Sequence, residues 1–406
     1  MVKQNPLQIA AQSQDSVAEL LARTPEEQQH LGYFHTLREI CQQPSTWTLT
    51  SELMVCSTPA LIHGLEGISS LALTGSGSSE YAGDCVRMAL QKELGINVLA
   101  VAGGALLTHG TQALPIGRPA LIVSLARSGD SPESVGALAL MLKTEPELRH
   151  LVLTCNRKGS LANAFREDPR VVTITLDERT NDRSLVMTSS FTNLVLAARI
   201  LGLLQDPSRY QSICTALASG ARVLLQTQVG ALAQVSKAPF RRVLFLGSGA
   251  RFAAAREAAL KMLEMTAGRV STACETYLGL RHGPMSAVHD DTLLVCFLSS
   301  ESRLRAYEAD VLQELAQKQL GLFRLIAGDR VPRELIAPRD VVIPYEIPFE
   351  HAGDAGDDSL PVMDVIVGQI LALFRCLAEG LRPDAPSASG VIQRVVQSFP
   401  LHLSNG

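Results

Sequence analysis

The sequence has no CxxC pair. Its eight cysteines, at 41, 56, 85, 155, 214, 274, 296 and 376, stand singly along 406 residues, which fits buried thiols in a reducing compartment and argues against a zinc site or a disulfide framework. A surplus of positive charge is also missing. The 36 Lys+Arg face 40 Asp+Glu for a formal net charge of −4, so the basic footprint of a nucleic-acid binder is not there. The opening stretch MVKQNPLQIAAQSQD has no apolar core, and no secretory signal is expected. The best candidate for a membrane span, 362–381, is broken by Asp364, Gln369 and Arg375 and reads as a buried helix. These absences point to a cytoplasmic protein whose partners include neither nucleic acid nor membrane. Three familiar ligand motifs are missing too. No GxxxxGK[ST] and no GxSxG occurs, and the two Gly-Ser-Gly turns carry Glu80 and Phe252 where GxGxxG needs glycine. No acidic residue ends the following strand to hold an adenosine ribose, so a dinucleotide site is not expected either.

What remains is a globular composition: 46% hydrophobic and 19% charged residues, enough for a large core and too apolar for disorder. The length exceeds one compact core and suggests about two or three domains. An internal repeat gives their arrangement. SLALTGSG (70–77) falls on RVLFLGSG (242–249) at an offset of 172 residues. The same offset carries ALIVSLARS (120–128) onto TLLVCFLSS (292–300) and LVLTCN (151–156) onto FRLIAG (323–328). Helical segments at 79–94, 132–145, 253–266 and 303–318 separate these apolar runs. Continuous apolar strands alternating with helices imply a parallel sheet covered on both faces. The fold expected is α/β, with two tandem doubly wound parallel-sheet domains related by duplication. The first spans 49–206 and the second 237–381, with N-terminal helices at 1–48, a helical connector at 207–236 and a tail at 382–406. Thr24-Pro25-Glu26-Glu27 reads as a helix start with Thr24 as N-cap. Segment 351–358, HAGDAGDD, reads as a loop without assigned function.

Ligands of such sheets bind at the carboxyl ends of the strands, where the Gly- and Ser-rich turns lie. After strand 120–126, Arg127-Ser128-Gly129-Asp130-Ser131-Pro132 leads into a helix with Ser131 as N-cap and Pro132 at the first helical position. Unpaired amides and the helix dipole make that terminus an anion site. Ser128 and Ser131 add hydroxyls, and Gly129 lets an oxyanion approach the backbone. The first turn, Gly75-Ser76-Gly77-Ser78-Ser79, brings further hydroxyls toward the same crevice. Either turn alone reads equally as an ordinary capped helix; two at adjacent strand ends favour a ligand. The matching loop of the second copy, Leu298-Ser299-Ser300-Glu301-Ser302-Arg303, has no glycine and carries a glutamate that would repel phosphate. Only the first copy is expected to hold the anion.

Candidate acid–base groups lie in the second copy. In AAAREAALKMLEM (253–265), Glu257, Lys261 and Glu264 fall within about 60° of one another at the helical periodicity. A solvent-facing salt bridge worth about 0.2–0.5 kcal/mol is the plain alternative. Flanking Leu260, Leu263 and Met265 leave little solvated face, which favours a stripe lining a crevice, with a carboxylate raised toward neutrality by lost hydration and suited to general-base work. His282 follows in Arg281-His282-Gly283-Pro284, a loop shaped by Gly and Pro. A carboxylate base, a titratable His and a phosphate anchor together suggest proton abstraction beside a sugar carbonyl.

At SLARSGDSPESV, TNDRSLVMTSS, FLGSGARFAAAREAALKMLEMTAGRV, LGLRHGPMSAV and PDAPSASGVIQRVVQ the chain resembles the sugar isomerase (SIS) domain superfamily. It is specifically similar to the tagatose-6-phosphate ketose/aldose isomerase group, proposed to be galactosamine-6-phosphate deaminating isomerases. The likeness reaches from about residue 35 to 397 and implies SIS-type, flavodoxin-like domains. By resemblance to the isomerase half of glucosamine-6-phosphate synthase, Ser79, Ser128 and Ser131 bind the phosphate, with Ser78, Arg127 and Gly129 around them. Glu257, Lys261 and Glu264 match that enzyme's Glu, Lys and catalytic Glu, which moves a proton between C1 and C2. His282 matches a ring-opening histidine that the neighbouring subunit supplies, so a homodimer with a shared site is implied. Thr188, Ser189 and Ser190 correspond to a substrate-contacting loop. The usual Ser-Gln-Ser of the phosphate loop is here Ala126-Arg127-Ser128, which loses one hydroxyl at Ala126 and gains a guanidinium at Arg127. No lysine follows Lys318 to match the synthase's tail lysine, and Arg394 is a candidate for its place. The implied substrate is a hexosamine or ketohexose 6-phosphate, converted without metal or organic cofactor. A non-deaminating isomerase of a neutral hexose phosphate and a non-catalytic sugar-phosphate sensor stay open as alternatives.

Overall fold

In a computed structural model describing residues 15–349, 356–387, 389–397 and 399–402, the apolar runs form ten short parallel strands. β1 (Ser70–Gly75), β2 (Asn97–Ala102), β3 (Ala120–Ala126), β4 (Arg149–Thr154) and β5 (Val171–Thr175) make one sheet in the order β2-β1-β3-β4-β5. β6 (Arg242–Gly247), β7 (Ser271–Thr276), β8 (Thr292–Phe297), β9 (Phe323–Gly328) and β10 (Val341–Pro344) make the other, ordered β10-β9-β8-β6-β7. Read from the opposite edge, the second sheet repeats the first. Both have the doubly wound flavodoxin-like order, with its switch between the strands flanking the first one.

The duplication extends to backbone detail. Ser70 of β1 pairs with Ala120 of β3, and Arg242 of β6 pairs with Thr292 of β8, so these strands keep the 172-residue offset. Gly77 (φ 58°, ψ −126°) and Gly249 (φ 57°, ψ −128°) take the same conformation, which side-chain-bearing residues avoid. The last of the three matched pairs, β4 and β9, departs from the expectation. Leu121 pairs with Arg149 and Leu293 with Phe323, so β9 starts two residues off the 172-residue frame, and the match of LVLTCN to FRLIAG is shifted accordingly. The extra residues are absorbed in the connection before β9, where they cost no ladder hydrogen bond.

The chain divides into two compact units. One, holding the first sheet, comprises Ser45–Asp182, Met187–Thr215 and Gly390–Gly406; the other comprises Met1–Pro44, Arg183–Val186 and Ala216–Ser389. This division cuts across the linear order expected from the sequence, with the boundary falling inside the helix Pro207–Thr227. In the first unit, helices α1 (Ser78–Leu94) and α2 (Pro132–Thr144) follow β1 and β3. Ala72, Val101 and Ile122 of the sheet pack against Ala137 and Met141 of α2. In the second unit, α3 (Ala250–Met265) follows β6 and α4 (Ser302–Gln317) follows β8. Leu244, Leu294 and Cys296 meet Val311, Leu312 and Leu315 of α4. Helix α5 (Pro361–Ala378) is long and apolar enough to cross a membrane, but 83% of it is buried against protein. It lies on α3, and the contact is close enough that a Cβ on Gly368 would come within 2.5 Å of the Ala258 Cβ. Thr24 caps its helix with the expected box: Glu27 N donates to its hydroxyl and Thr24 N donates to the Glu27 carboxylate. All eight cysteines are free; five are buried, whereas Cys56 is exposed.

Candidate active site

The carboxyl ends of the neighbouring strands β1 and β3 open into a cavity of about 140 Å³, more room than a single water requires. The turns that form it are dictated locally. A Cβ on Gly75 would strike the Ser79 backbone at 2.6 Å, so only glycine lets α1 start directly over the strand end. Gly129, at φ +70°, takes the left-handed conformation that turns the chain toward α2, and its carbonyl accepts from Leu161 N. Asn156 Nδ2 donates to Ser128 O at 2.8 Å, and Ser160 N to the Asp130 carboxylate at 2.8 Å. The loop is therefore held from behind, leaving its front to a ligand.

Five serines face the cavity: Ser76, Ser79, Ser128, Ser131 and Ser134. The Ser76 hydroxyl is buried without a hydrogen-bond partner, a cost that a ligand oxygen would remove. Ser128 Oγ accepts from Asp130 N at 3.3 Å, so its own proton is directed elsewhere. Ser131 occupies the N-cap with extended backbone, as expected, but does not cap through its side chain; its hydroxyl donates to Ser134 Oγ at 2.8 Å. Two guanidinium groups, Arg127 and Arg394, and one carboxylate, Glu133, complete the polar lining. Arg127 is buried and donates to Arg394 O at 2.7 Å, while Arg394 is anchored by Asp182 O and Asn181 Oδ1, both at 2.6 Å. Helix N-termini, serine hydroxyls and cations converging on one hollow make a receptor for an oxyanion.

Three of the expected residues sit elsewhere. Ser78 is buried at the start of α1 and does not line the cavity, where Ser76 takes the place expected for it. Thr188 and Ser189 are fully buried. Their loop is tied down by Asp182, whose Oδ2 accepts from Thr188 N at 2.8 Å and from Ser190 Oγ at 2.6 Å. The loop presents Met187 to the cavity instead. Since Asp182 also receives Arg394, these hydroxyl residues brace the wall of the cavity.

In the other unit, Lys261 stands between two carboxylates of α3, 3.3 Å from Glu257 Oε1 and 2.5 Å from Glu264 Oε2. The side chains of Glu257 and Lys261 are 0% exposed and that of Glu264 is 23% exposed. The stripe is thus not a solvated surface bridge, and only its last carboxylate reaches water. Leu263 is exposed, contrary to its expected shielding role; α5 packing on α3 supplies the cover. His282 lies exposed on the turn after a short helix, Tyr277–Leu280, whose start is capped by Thr276 Oγ1 accepting from Gly279 N. Gly283 follows at φ +123° and Pro284 opens the next turn. Among the described residues no hydrogen bond or ion pair joins the imidazole to the α3 stripe.

The second copy's crevice, after β6 and β8, is filled from within. In the repeat frame Arg251 stands where Ser79 does, and Ser300 where Ser128 does. The Arg251 guanidinium is buried in a two-bond pair with Asp364, at 2.8 and 2.5 Å, which Tyr345 completes by donating to Asp364 Oδ1 at 2.7 Å. Ser300 N and Ser300 Oγ donate to Asp357 Oδ1 at 2.8 and 3.1 Å, and Ser299 Oγ donates to Asp357 Oδ2. Ser299 N donates to Glu308 at 2.7 Å, whose carboxyl burial pushes up to about 7. Glu301 caps α4, accepting from Arg303 N and Leu304 N. Of segment 351–358, residues 351–355 lie outside the described residues, and Asp357–Ser359 form one 3₁₀ turn. Among the described residues no group of three or more His, Cys, Asp or Glu is arranged to hold a metal.

No protein-family model matches the chain. It is 37% identical over 379 residues, 91% of this chain and 96% of the relative, to a Streptomyces coelicolor protein provisionally named D-galactosamine-6-phosphate deaminase AgaS. It is 34% identical over 376 residues, 90% of this chain and 95% of the relative, to the D-galactosamine-6-phosphate deaminase AgaS of Escherichia coli. Among solved structures, the tagatose-6-phosphate ketose/aldose isomerase of Escherichia coli is similar with a TM-score of 0.79 and 31% identity, covering 88% of this chain and 96% of that one.

Proposed function

The chain belongs to the SIS-domain family of D-galactosamine-6-phosphate deaminases and tagatose-6-phosphate ketose/aldose isomerases, and from that membership we propose that it is itself a deaminating isomerase of galactosamine-6-phosphate. The products are tagatose-6-phosphate and ammonia. The observation that carries the reading is the hollow after β1 and β3, where five serines and two arginines meet at two helix starts. It suits a phosphate monoester, whose oxygens accept from hydroxyl, amide and guanidinium donors of this kind.

The chemistry asks for little else. With the ring opened, a base removes the C2 proton and returns one to C1, passing through an enolamine. The resulting C2 imine takes up water, and ammonia leaves. Glu264 is assigned the proton transfer because it is the member of the buried stripe that reaches solvent, and Lys261 holds its carboxylate in place. His282 is assigned ring opening. Its exposure on a turn shaped by Gly283 and Pro284 favours a role across the interface of a homodimer. Base, proton donor and anchored phosphate suffice, so no organic cofactor or metal enters the proposal.

The test is a panel of galactosamine-, glucosamine- and tagatose-6-phosphate, scored for ammonia and for ketose. Ammonia and ketose in equal amounts from galactosamine-6-phosphate are expected. Interconversion of a neutral hexose phosphate alone would replace this reading with a simple aldose–ketose isomerase, and binding without turnover of any member would make the chain a sensor.

A further inference from the structure

We propose that the crevice after β6 and β8 is a second oxyanion receptor, occupied by the chain's own Asp357 carboxylate, and that removing this side chain opens it to inorganic phosphate. The inference comes from comparing the two copies. Ser300, at the position of Ser128, gives Asp357 both its amide and its hydroxyl, and Ser299 adds a second hydroxyl. The Arg251 guanidinium lies 3.8 Å from the same carboxylate. A loop descended from the same ancestor as the one after β3 therefore still gathers donors around an anion, but the anion is a side chain. Carboxylate and phosphate are recognised by the same kinds of donor. A tethered carboxylate also competes at the high effective concentration of an intramolecular group, so it excludes a dilute external anion.

The charges facing the pocket permit the exchange. Arg251 and Arg305 supply two guanidinium groups, Arg305 through its bond to Ser299 O at 2.6 Å. Against them stand Asp357, Asp364 and Glu308, while the loop's Glu301 carboxylate is turned onto the first amides of α4, Arg303 N and Leu304 N. An incoming phosphate would replace one of these negative charges and not add to all three. Arg251 and Ser299 are fully buried, whereas the Asp357 side chain is 13% exposed, so the carboxylate plugs the pocket from its solvent side.

The experiment counts phosphate sites per chain by equilibrium dialysis on the full chain, wild type against Asp357→Ala. One additional site per chain in the variant is expected, with a rise in its melting temperature as phosphate is added. An unchanged count overturns the proposal. Should wild type bind none and the variant one, this inference stands and the reading of the β1–β3 hollow as a phosphate cradle falls. If Asp357→Ala does not fold without phosphate, Asp357→Asn keeps a hydrogen-bonding side chain of the same shape without the charge. It must then gain a site that Ser300→Ala removes again; no gain overturns the proposal.

Discussion

Substituting Lys261 by methionine tests the buried stripe most sharply. The ammonium serves two carboxylates, and it and Glu257 have no exposure at all. Methionine fills nearly the same volume, so the packing of α3 on α5 is kept while Glu257 is left as a buried anion that has lost this cation. Breaking a buried pair from one side costs about 3–5 kcal/mol, whereas replacing both members by apolar groups is often close to neutral. Lys261→Met is therefore expected to lose about 3–5 kcal/mol, and Glu257→Leu combined with Lys261→Met to recover most of it. Glu264, partly hydrated, needs no such compensation. Urea unfolding followed by far-ultraviolet circular dichroism measures both variants, and the two singles with the double close a cycle. The one tryptophan, Trp47, is in the other unit and is the wrong probe. A loss below about 1 kcal/mol in the single variant, or a double variant no better than the single, would refute the argument that this ion pair is sealed from water.

Two other expectations follow from particular residues. His150 of β4 is buried with neither ring nitrogen hydrogen-bonded, and burial, aided by the Arg170 guanidinium, lowers its pKa to about 4. Since the unfolded chain takes up the proton near pH 6.5, the stability owed to the neutral ring is complete above that pH. It is lost as pH falls toward 4, by about 3 kcal/mol in all at 1.36 kcal/mol per unit. His150→Leu should flatten that limb of the pH–stability curve, and an unchanged slope would remove His150 as its cause. If Glu264 and His282 of different subunits share each active site, mixing inactive Glu264→Gln with inactive His282→Asn should restore about a quarter of wild-type activity, because a mixed dimer keeps one intact site. No recovery after verified subunit exchange would place both groups in one chain or deny one its role.

The architecture was legible because its signals are local. Strands buried on both faces read as unbroken apolar runs, and Gly77 and Gly249 mark the same turn twice because no other residue adopts that backbone cheaply. The two-residue slip between β4 and β9 was hidden, since a connection can lengthen without disturbing either strand. The site was legible in residue type more than in direction. In Gly-Ser-Gly-Ser-Ser the pattern does not say where the helix begins. That start decides that Ser76 and Ser79 line the hollow while Ser78 does not. Thr188 and Ser189 matched a contact loop by position, yet Asp182 holds the amides of Thr188 and Ser190, and Met187 is the residue of that loop that lines the hollow. Arg394 and Asp357 come from distant parts of the chain, and only folding brings them to the loops they serve.

The central claim joins a phosphate cradle to a proton-moving carboxylate, and one paired measurement reaches both. Galactosamine-6-phosphate is given to wild type and to Glu264→Gln, with ammonia release and substrate binding recorded for each. Wild type should release one ammonia per ketose formed, and the variant should bind the sugar phosphate with little change while releasing almost none. Undiminished turnover in the variant, or wild type inert toward every hexosamine 6-phosphate, would contradict the account.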